Sequence, residues 1–243
     1  MRFPSVHAVL ALLAAASILT PGLARADPPS PELMARLAAT SATMDEVRKR
    51  ASYTMEGHID TLDGDGNVSS VETTRARVER DGGRTHLVIE KATKDGKDVT
   101  DEERKKAARE EGKHDEEKQK ARIDIPFLAA VQPKYVFDQV ETDPKDPTRV
   151  RIAFTPKEPD EHSVEGSAWV DTRAGQFLSA GFKVSKPGFF VDYVHVTVEV
   201  GARTELGPAV SRITFDGKGG FLFIHKHFRG SEALSNYAIG PKS

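Results

Sequence analysis

Ala51-Ser-Tyr53-Thr-Met55-Glu-Gly57-His-Ile59-Asp60 alternates apolar or small residues with polar ones, and Asp63-Gly-Asp-Gly-Asn67 follows with residues that suit a tight turn. A period of two places Tyr53, Met55, Gly57 and Ile59 on one face of a strand, and Thr54, Glu56, His58 and Asp60 on the other. Gly and Asn tolerate the left-handed backbone that a hairpin turn needs, so residues 68–78 read as the returning strand. Asp81-Gly82-Gly83 repeats the turn signal, and 84–91 reads as a third strand. The pattern predicts a meander of antiparallel hairpins.

Upstream of this meander, Pro31 to Arg50 predicts a helix. Pro31 suits a first helical position, and Leu33, Met34, Leu37, Met44 and Val47 recur at roughly helical spacing. The first 26 residues read differently. Arg2 gives a positive start, residues 7–19 are an apolar run, Pro21-Gly22 breaks it, and Ala24-Arg25-Ala26 places small residues at a cleavage spacing. That is the layout of a secretory signal peptide cut after Ala26, and the run is too short to span a membrane. The expectation is an exported, periplasmic chain of one domain, residues 27–243, with no transmembrane segment after cleavage.

Composition narrows the function classes. The chain has 35 Lys and Arg against 37 Asp and Glu, a net charge of −2, and no cysteine. Loss of Arg2 and Arg25 with the leader brings the balance to about −4, which argues against nucleic acid as a partner. An exported chain without cysteine has no disulfides, thiol nucleophile or thiolate metal site, so its stability rests on a hydrophobic core. No Gly-x-Ser-x-Gly elbow, phosphate-binding loop or dinucleotide fingerprint is present. The expectation is a protein that is not an enzyme and needs no cofactor.

Downstream, Thr100-Asp-Glu-Glu103 reads as a capping box opening a segment to Arg122 that is mostly Lys, Arg, Glu and Asp. With Ala107, Ala108 and Ala121 as its apolar residues it has no face to bury, which predicts a projecting helix supported by side-chain ion pairs. Residues 125–131 form a short apolar turn of helix that anchors this excursion to the core. Strands are predicted at 135–141, 149–155, 164–171, 177–184, 190–200, 209–215 and 221–228, with turns that include Asp143-Pro144, Ala174-Gly175, Pro187-Gly188 and 217–220. The fold class is therefore mainly β within α+β. About ten short-turned strands predict a curved antiparallel sheet or unclosed β-barrel with an N-terminal helix and one internal helical excursion.

In this order of elements the chain resembles the LolA-like group of periplasmic lipoprotein carriers and outer-membrane lipoprotein-sorting proteins. The resemblance is carried by the signal peptide and by the opening helix running into the first paired strands. It continues in Gly166-Ser-Ala-Trp169-Val-Asp171-Thr-Arg-Ala-Gly175-Gln-Phe-Leu, Val210-Ser-Arg-Ile-Thr-Phe215, Phe221-Leu-Phe-Ile and Tyr237. It implies a concave sheet that holds acyl chains beneath helices. The excursion at 100–122 departs from that pattern, being far more charged than an apolar lid.

Three residue sets are candidates for function. Asp63, Asp65, Gly66 and Glu72 fall near calcium-loop positions, but Thr61 stands where a first carboxylate belongs and the flanks alternate as strands, which favours a plain hairpin turn. His195, His225 and His227 lie on predicted strands without a spacing that makes them converge, which favours solvated histidines over a zinc site. The third set is apolar: Phe182, Phe190, Val194, Val196, Phe215, Phe221 and Phe223 are the expected ligand-binding residues, among a wider group that includes Phe189, Val198, Val200, Ile213 and Phe228. One helix covers only part of a ten-stranded face, so these residues either fill a core or line a groove for an apolar ligand. The resulting expectation is a carrier for an acyl lipid or lipoprotein anchor. The alternative is an envelope interaction or sensor module that binds a protein partner through the charged excursion.

Overall fold

The computed structural model describes residues 27–81, 84–111, 123–187, 191–221 and 224–241. Helix α1 (Pro31–Arg50) leads into strands β1 (Ala51–Leu62), β2 (Val68–Asp81), β3 (Arg84–Lys94) and the short β4 (Lys97–Asp98), followed by helix α2 (Thr100–Glu111). After turns and a 3-10 turn at Gln132–Lys134 come β5 (Tyr135–Asp143), β6 (Asp146–Pro156), β7 (Val164–Asp171), β8 (Gln176–Val184) and β9 (Val191–Glu199). A two-stranded ribbon of β10 (Ala202–Arg203) and β11 (Pro208–Ala209) precedes β12 (Arg212–Phe221) and β13 (Ile224–Ile239). Eleven strands form one antiparallel sheet in the order β4-β3-β2-β1-β13-β12-β9-β8-β7-β6-β5. The outermost strands β4 and β5 do not pair with each other, so the barrel is unclosed.

Both helices lie on the same face of this sheet, called here the inner face. Ser30 starts α1 by accepting the Leu33 amide on its hydroxyl at 3.2 Å, with Pro31 next in line. Leu33 and Leu37 of α1 then pack with Phe127, Tyr135, Val150, Ile152, Phe154, Val164, Ala168, Val170 and Phe177 from the segment before β5 and from β5–β8. The Phe127 ring meets Phe137, Phe154 and Phe177 at centroid distances of 4.9–5.6 Å, offset or edge-on, as aromatic quadrupoles prefer. Polar contacts fix α1 in place. Arg36 donates to the Thr172 carbonyl at 2.7 Å, Thr40 to the Gly175 carbonyl at 2.7 Å, and Arg50 to the Gly240 carbonyl at 2.6 Å. Helix α1 is thus clamped along its length to the β7–β8 turn and the end of β13.

The described part of the charged excursion, residues 100–111, differs from its sequence reading. Helix α2 does not project. Ala107 and Val99 pack on a second cluster formed by Ala76, Ile89, Ala92 and Met55, and Arg104 donates to the Ile89 and Glu90 carbonyls at 2.9 and 3.3 Å. One small apolar residue suffices because the guanidinium of Arg104 satisfies β3 carbonyls while its stem lies along the sheet. The capping box is also replaced. Asp98 accepts the Thr100 amide at 2.9 Å, and the Thr100 hydroxyl exchanges hydrogen bonds with the Ala92 backbone instead.

Residues 125–131 form turns around the buried Phe127, an anchor without a turn of helix. A further correction concerns 217–220, expected as a turn. Gly217, Lys218, Gly219 and Gly220 are ladder positions inside β12, and the strand reverses after Phe221, which pairs with Ile224. The predicted signal peptide, Phe189, Phe190, Phe223 and residues 112–122 lie outside the described residues. Among the described residues no helix is long and apolar enough to cross a membrane.

The α1 contact bears the largest buried apolar cluster, so Leu37→Ala is expected to lower the unfolding free energy by about 2–5 kcal/mol. Val140→Ser on the exposed outer side of edge strand β5 should change it by less than about 0.5 kcal/mol. Urea unfolding followed by circular dichroism measures both.

Candidate functional site

Strand alternation and register bring one set of side chains together between the two helices. On β9, Val194, Val196 and Val198 share the inner face; they sit opposite Gly217, Phe215 and Ile213 of β12, and Phe182 of β8 sits opposite Val196. Those β12 residues face Phe228, Gly230 and Glu232 of β13, which in turn face Thr61, Ile59 and Gly57 of β1. Helix α1 packs on β8 and β11, and α2 on β3. Helix α1 meets β13 at the strand's end, where Val47 packs with Tyr237 and Ile239, and Ala107 of α2 shares a cluster with Met55 of β1; among the described residues Val194, Val196, Val198, Ile213, Phe215 and Phe228 belong to neither helix's cluster. The strip they leave is apolar, and its side chains are half-buried.

Two glycines shape its floor. A Cβ on Gly217 would stand 2.7 Å from the Phe228 ring, and one on Gly230 would stand 2.7 Å from the Phe215 ring. Each phenylalanine therefore lies down over the glycine of the neighbouring strand, and the two rings meet at 6.1 Å, nearly edge-on. This explains Gly217, the first glycine of the stretch inside β12 that the sequence suggested was a turn. With the rings flattened against the sheet, the strip keeps an open surface above them.

Of the seven expected ligand-binding residues, Phe182, Val194, Val196 and Phe215 stand together on this strip. Phe182 also packs against the main core, so it marks the border between filled core and open strip. Phe221 ends β12, and Phe190 and Phe223 lie outside the described residues.

One residue of the strip escaped the sequence reading. Glu232 is a half-buried carboxyl on the apolar face, between Gly57 and Ile213, with no hydrogen bond or ion pair among the described residues. Burial pushes its carboxyl above the usual carboxylate range. A signal was present: Phe228, Gly230, Glu232 and Leu234 are the alternate positions of β13, and a glutamate in the apolar phase of a strand breaks the pattern.

The outer face carries the polar counterpart. Asp60, Arg229, Asp216 and His195 form one row across β1, β13, β12 and β9. His58 and Arg229 reach the Asp60 carboxylate at 2.9 and 3.2 Å, and His227 lies 3.3 Å from both the Tyr193 hydroxyl and Asp216. The Tyr193 hydrogen bond holds the Asp216 carboxyl below its usual range; partial burial opposes this and His227 reinforces it. A shallow groove of about 400 Å³ runs along this row. Its charged side chains have partners, so it reads as a cross-strand ladder in contact with water. The histidines singled out in the sequence divide: His195 and His227 flank Tyr193 here, whereas the His225 side chain is not among those described. Among the described residues no group of three or more metal-ligating side chains is present. In the 61–72 hairpin, Asp63 uses its carboxylate to accept the Asp65 and Asn67 amides at 3.0 and 2.9 Å, and Gly66 takes the left-handed conformation with φ 85°, as a plain turn requires.

No family model and no curated protein matches the chain. Solved structures do. A domain described as an outer membrane lipoprotein-sorting protein from Vibrio parahaemolyticus is similar at 10% identity and a TM-score of 0.41, over 85% of this chain and 91% of that one. A LolA superfamily protein from Nitrosomonas europaea is similar at 12% identity and a TM-score of 0.36, over 84% and 94%. MucB in complex with MucA(peri) is similar at 11% identity and a TM-score of 0.25, over 88% and 100%.

Glu232 supplies a stability test. Its folded pKa lies above its unfolded value, so the folded state binds the proton more tightly, and stability falls as pH rises through that window. Glu232→Gln is therefore expected to be more stable than the parent at pH 7, with the difference vanishing below the unfolded carboxylate range near pH 4. Thermal melts from pH 3.5 to 7.5 measure it.

Proposed function

We propose that the protein is an exported, non-catalytic carrier that holds an acyl chain of a lipid or lipoprotein on the inner-face strip of β9, β12, β13 and β1. The observation that carries this reading is the strip itself. The cores beneath α1 and beneath α2 are separate, and between them lie Val194, Val196, Val198, Ile213, Phe215 and Phe228, half-buried and, among the described residues, outside the clusters packed by either helix. A filled barrel core would bury such residues as completely as Ile152 and Val170 are buried beneath α1. An apolar surface of this kind, bordered by packed elements on both sides, suits a flexible hydrocarbon chain. Each methylene it covers contributes about 0.8 kcal/mol, so affinity accumulates with chain length and needs few polar contacts. The clamped α1 supports a permanent wall along one side of the strip.

The reading of α2 as a free docking arm for an envelope partner has less support, because α2 is seated on β3 through Ala107 and Arg104. The leader at 1–26 supports export on sequence grounds, and the proposal places the protein in the periplasm.

Phe215→Asn on the strip is expected to weaken binding of a fluorescent acyl probe about ten-fold or more, in line with the roughly 1.5–3 kcal/mol of one buried aromatic side chain. Thr214→Ser, one residue away on the outer face, should leave the affinity within two-fold. Equal affinities for the parent and Phe215→Asn would contradict the proposal.

A further inference from the structure

Glu232 has no structural task that accounts for it. It stands on the inner face opposite Gly57 and Ile213, two residues along β13 from Gly230, where the Phe215 ring lies. Its own strand continues to the buried Leu234. An unpaired carboxylate in such surroundings loses hydration without gaining a partner, and an apolar residue of similar size would be more favourable there. The other carboxylates of the neighbouring strands are occupied. On the inner face Glu72, opposite Ile59, is held by Lys94 at 2.6 Å; on the outer face Asp60 is held by Arg229 and His58.

Among the described residues the inner-face guanidinium of Arg80, which donates to the Thr85 hydroxyl, is distant from Glu232. Arg80 lies six residues along β2 from Thr74, the residue in Glu232's own cross-strand row, which is roughly 20 Å of extended chain. Tyr53, whose ring is tilted against Tyr237 at 5.3 Å, occupies a cross-strand row between them. Among the described residues Glu232 thus has no counter-charge, and it stands at the end of the Phe228–Phe215 stripe, where the polar end of a chain lying on that stripe would reach.

Resting on the acyl-chain reading above, we infer that the strip selects amphiphiles whose head carries an ammonium group, with Glu232 as the counter-charge and the Phe215–Phe228 stripe as the bed for the hydrocarbon. Gly57, across the ladder from Glu232, leaves room at the sheet surface beside the carboxylate, since a Cβ there would meet no atom closer than 3.9 Å, whereas the surface over Gly230 is taken by the Phe215 ring. A charge-assisted N–H···O bond formed away from bulk water is strong enough to discriminate one head group from another by about ten-fold or more. Apolar burial alone cannot discriminate in that way, since the chain is common to all candidates.

The test uses three amphiphiles with the same twelve-carbon chain, each below its micellar concentration: dodecylammonium, monododecanoylglycerol and dodecanoate. Their ability to displace a fluorescent acyl probe is measured on the full mature protein and on two variants. Dodecylammonium is expected to displace at about ten-fold lower concentration than dodecanoate, with the neutral glyceride between them. Glu232→Gln, which keeps shape and hydrogen-bonding capacity, should bring the three within two-fold, and Glu232→Lys should reverse the order. Equal displacement by all three on the parent protein, or an unchanged ammonium preference in Glu232→Gln, would overturn the inference while leaving the acyl-chain reading intact. Failure of the probe to bind and of every amphiphile to change the protein's melting temperature would overturn the acyl-chain reading, and the inference with it.

Discussion

The pairing of β1 with β13 is the seam on which the rest of the structure depends. It joins the meander β1–β4 to the strands β5–β12, from Ala51 opposite Ile239 to Leu62 opposite His227. Without it the chain would form two smaller sheets, each with its own helix. With it, one continuous ladder runs between the α1 core and the α2 core. From Thr54 to Leu62 the ladder has a fixed alternation, so each residue of that stretch is committed to one face; a register shift between Ser52 and Thr54 marks the end of the seam next to α1.

That commitment explains the contrast between the two faces. Residues 58 and 60 of β1 and 229 and 231 of β13 send His58, Asp60, Arg229 and Ser231 outward, where ion pairs and water satisfy them. The intervening positions send Ile59, Gly57, Phe228, Gly230 and Glu232 inward. The outer row is complete in itself. Among the described residues the inner row has apolar groups that neither helix covers and a carboxylate without a partner. The two helices meanwhile remain docked over their own strands, α1 through its clamps to Thr172, Gly175 and Gly240, and α2 through Arg104.

Much of this was legible in the chain. The alternation from Tyr53 to Asp60, the turn at Asp63–Asn67 and the spacing of Leu33, Leu37 and Val47 give the helix, the first hairpin and their order, because each is a local pattern with a local physical cause. The apolar phase of β9 and β12 likewise located Val194, Val196 and Phe215. What misled was non-local. Gly217 and Gly220 look like a turn until the ring of Phe228 is known to need the space above Gly217, and that ring comes from another strand. The charged helix looks like a free arm until β3 is known to offer carbonyls to Arg104. Glu232 does not show in a count that weighs a strand by its hydrophobic members, because it is the one member that breaks the phase.

The central claim is that the inner-face strip is kept open for an acyl chain. Native mass spectrometry on protein prepared gently from a periplasmic extract tests it most directly. The account predicts a reproducible added mass that organic solvent releases and that fragments as an acyl lipid. A single apo mass, unchanged after incubation with phospholipid and lipoprotein, would contradict it and would mean that the sheet closes over its own side chains.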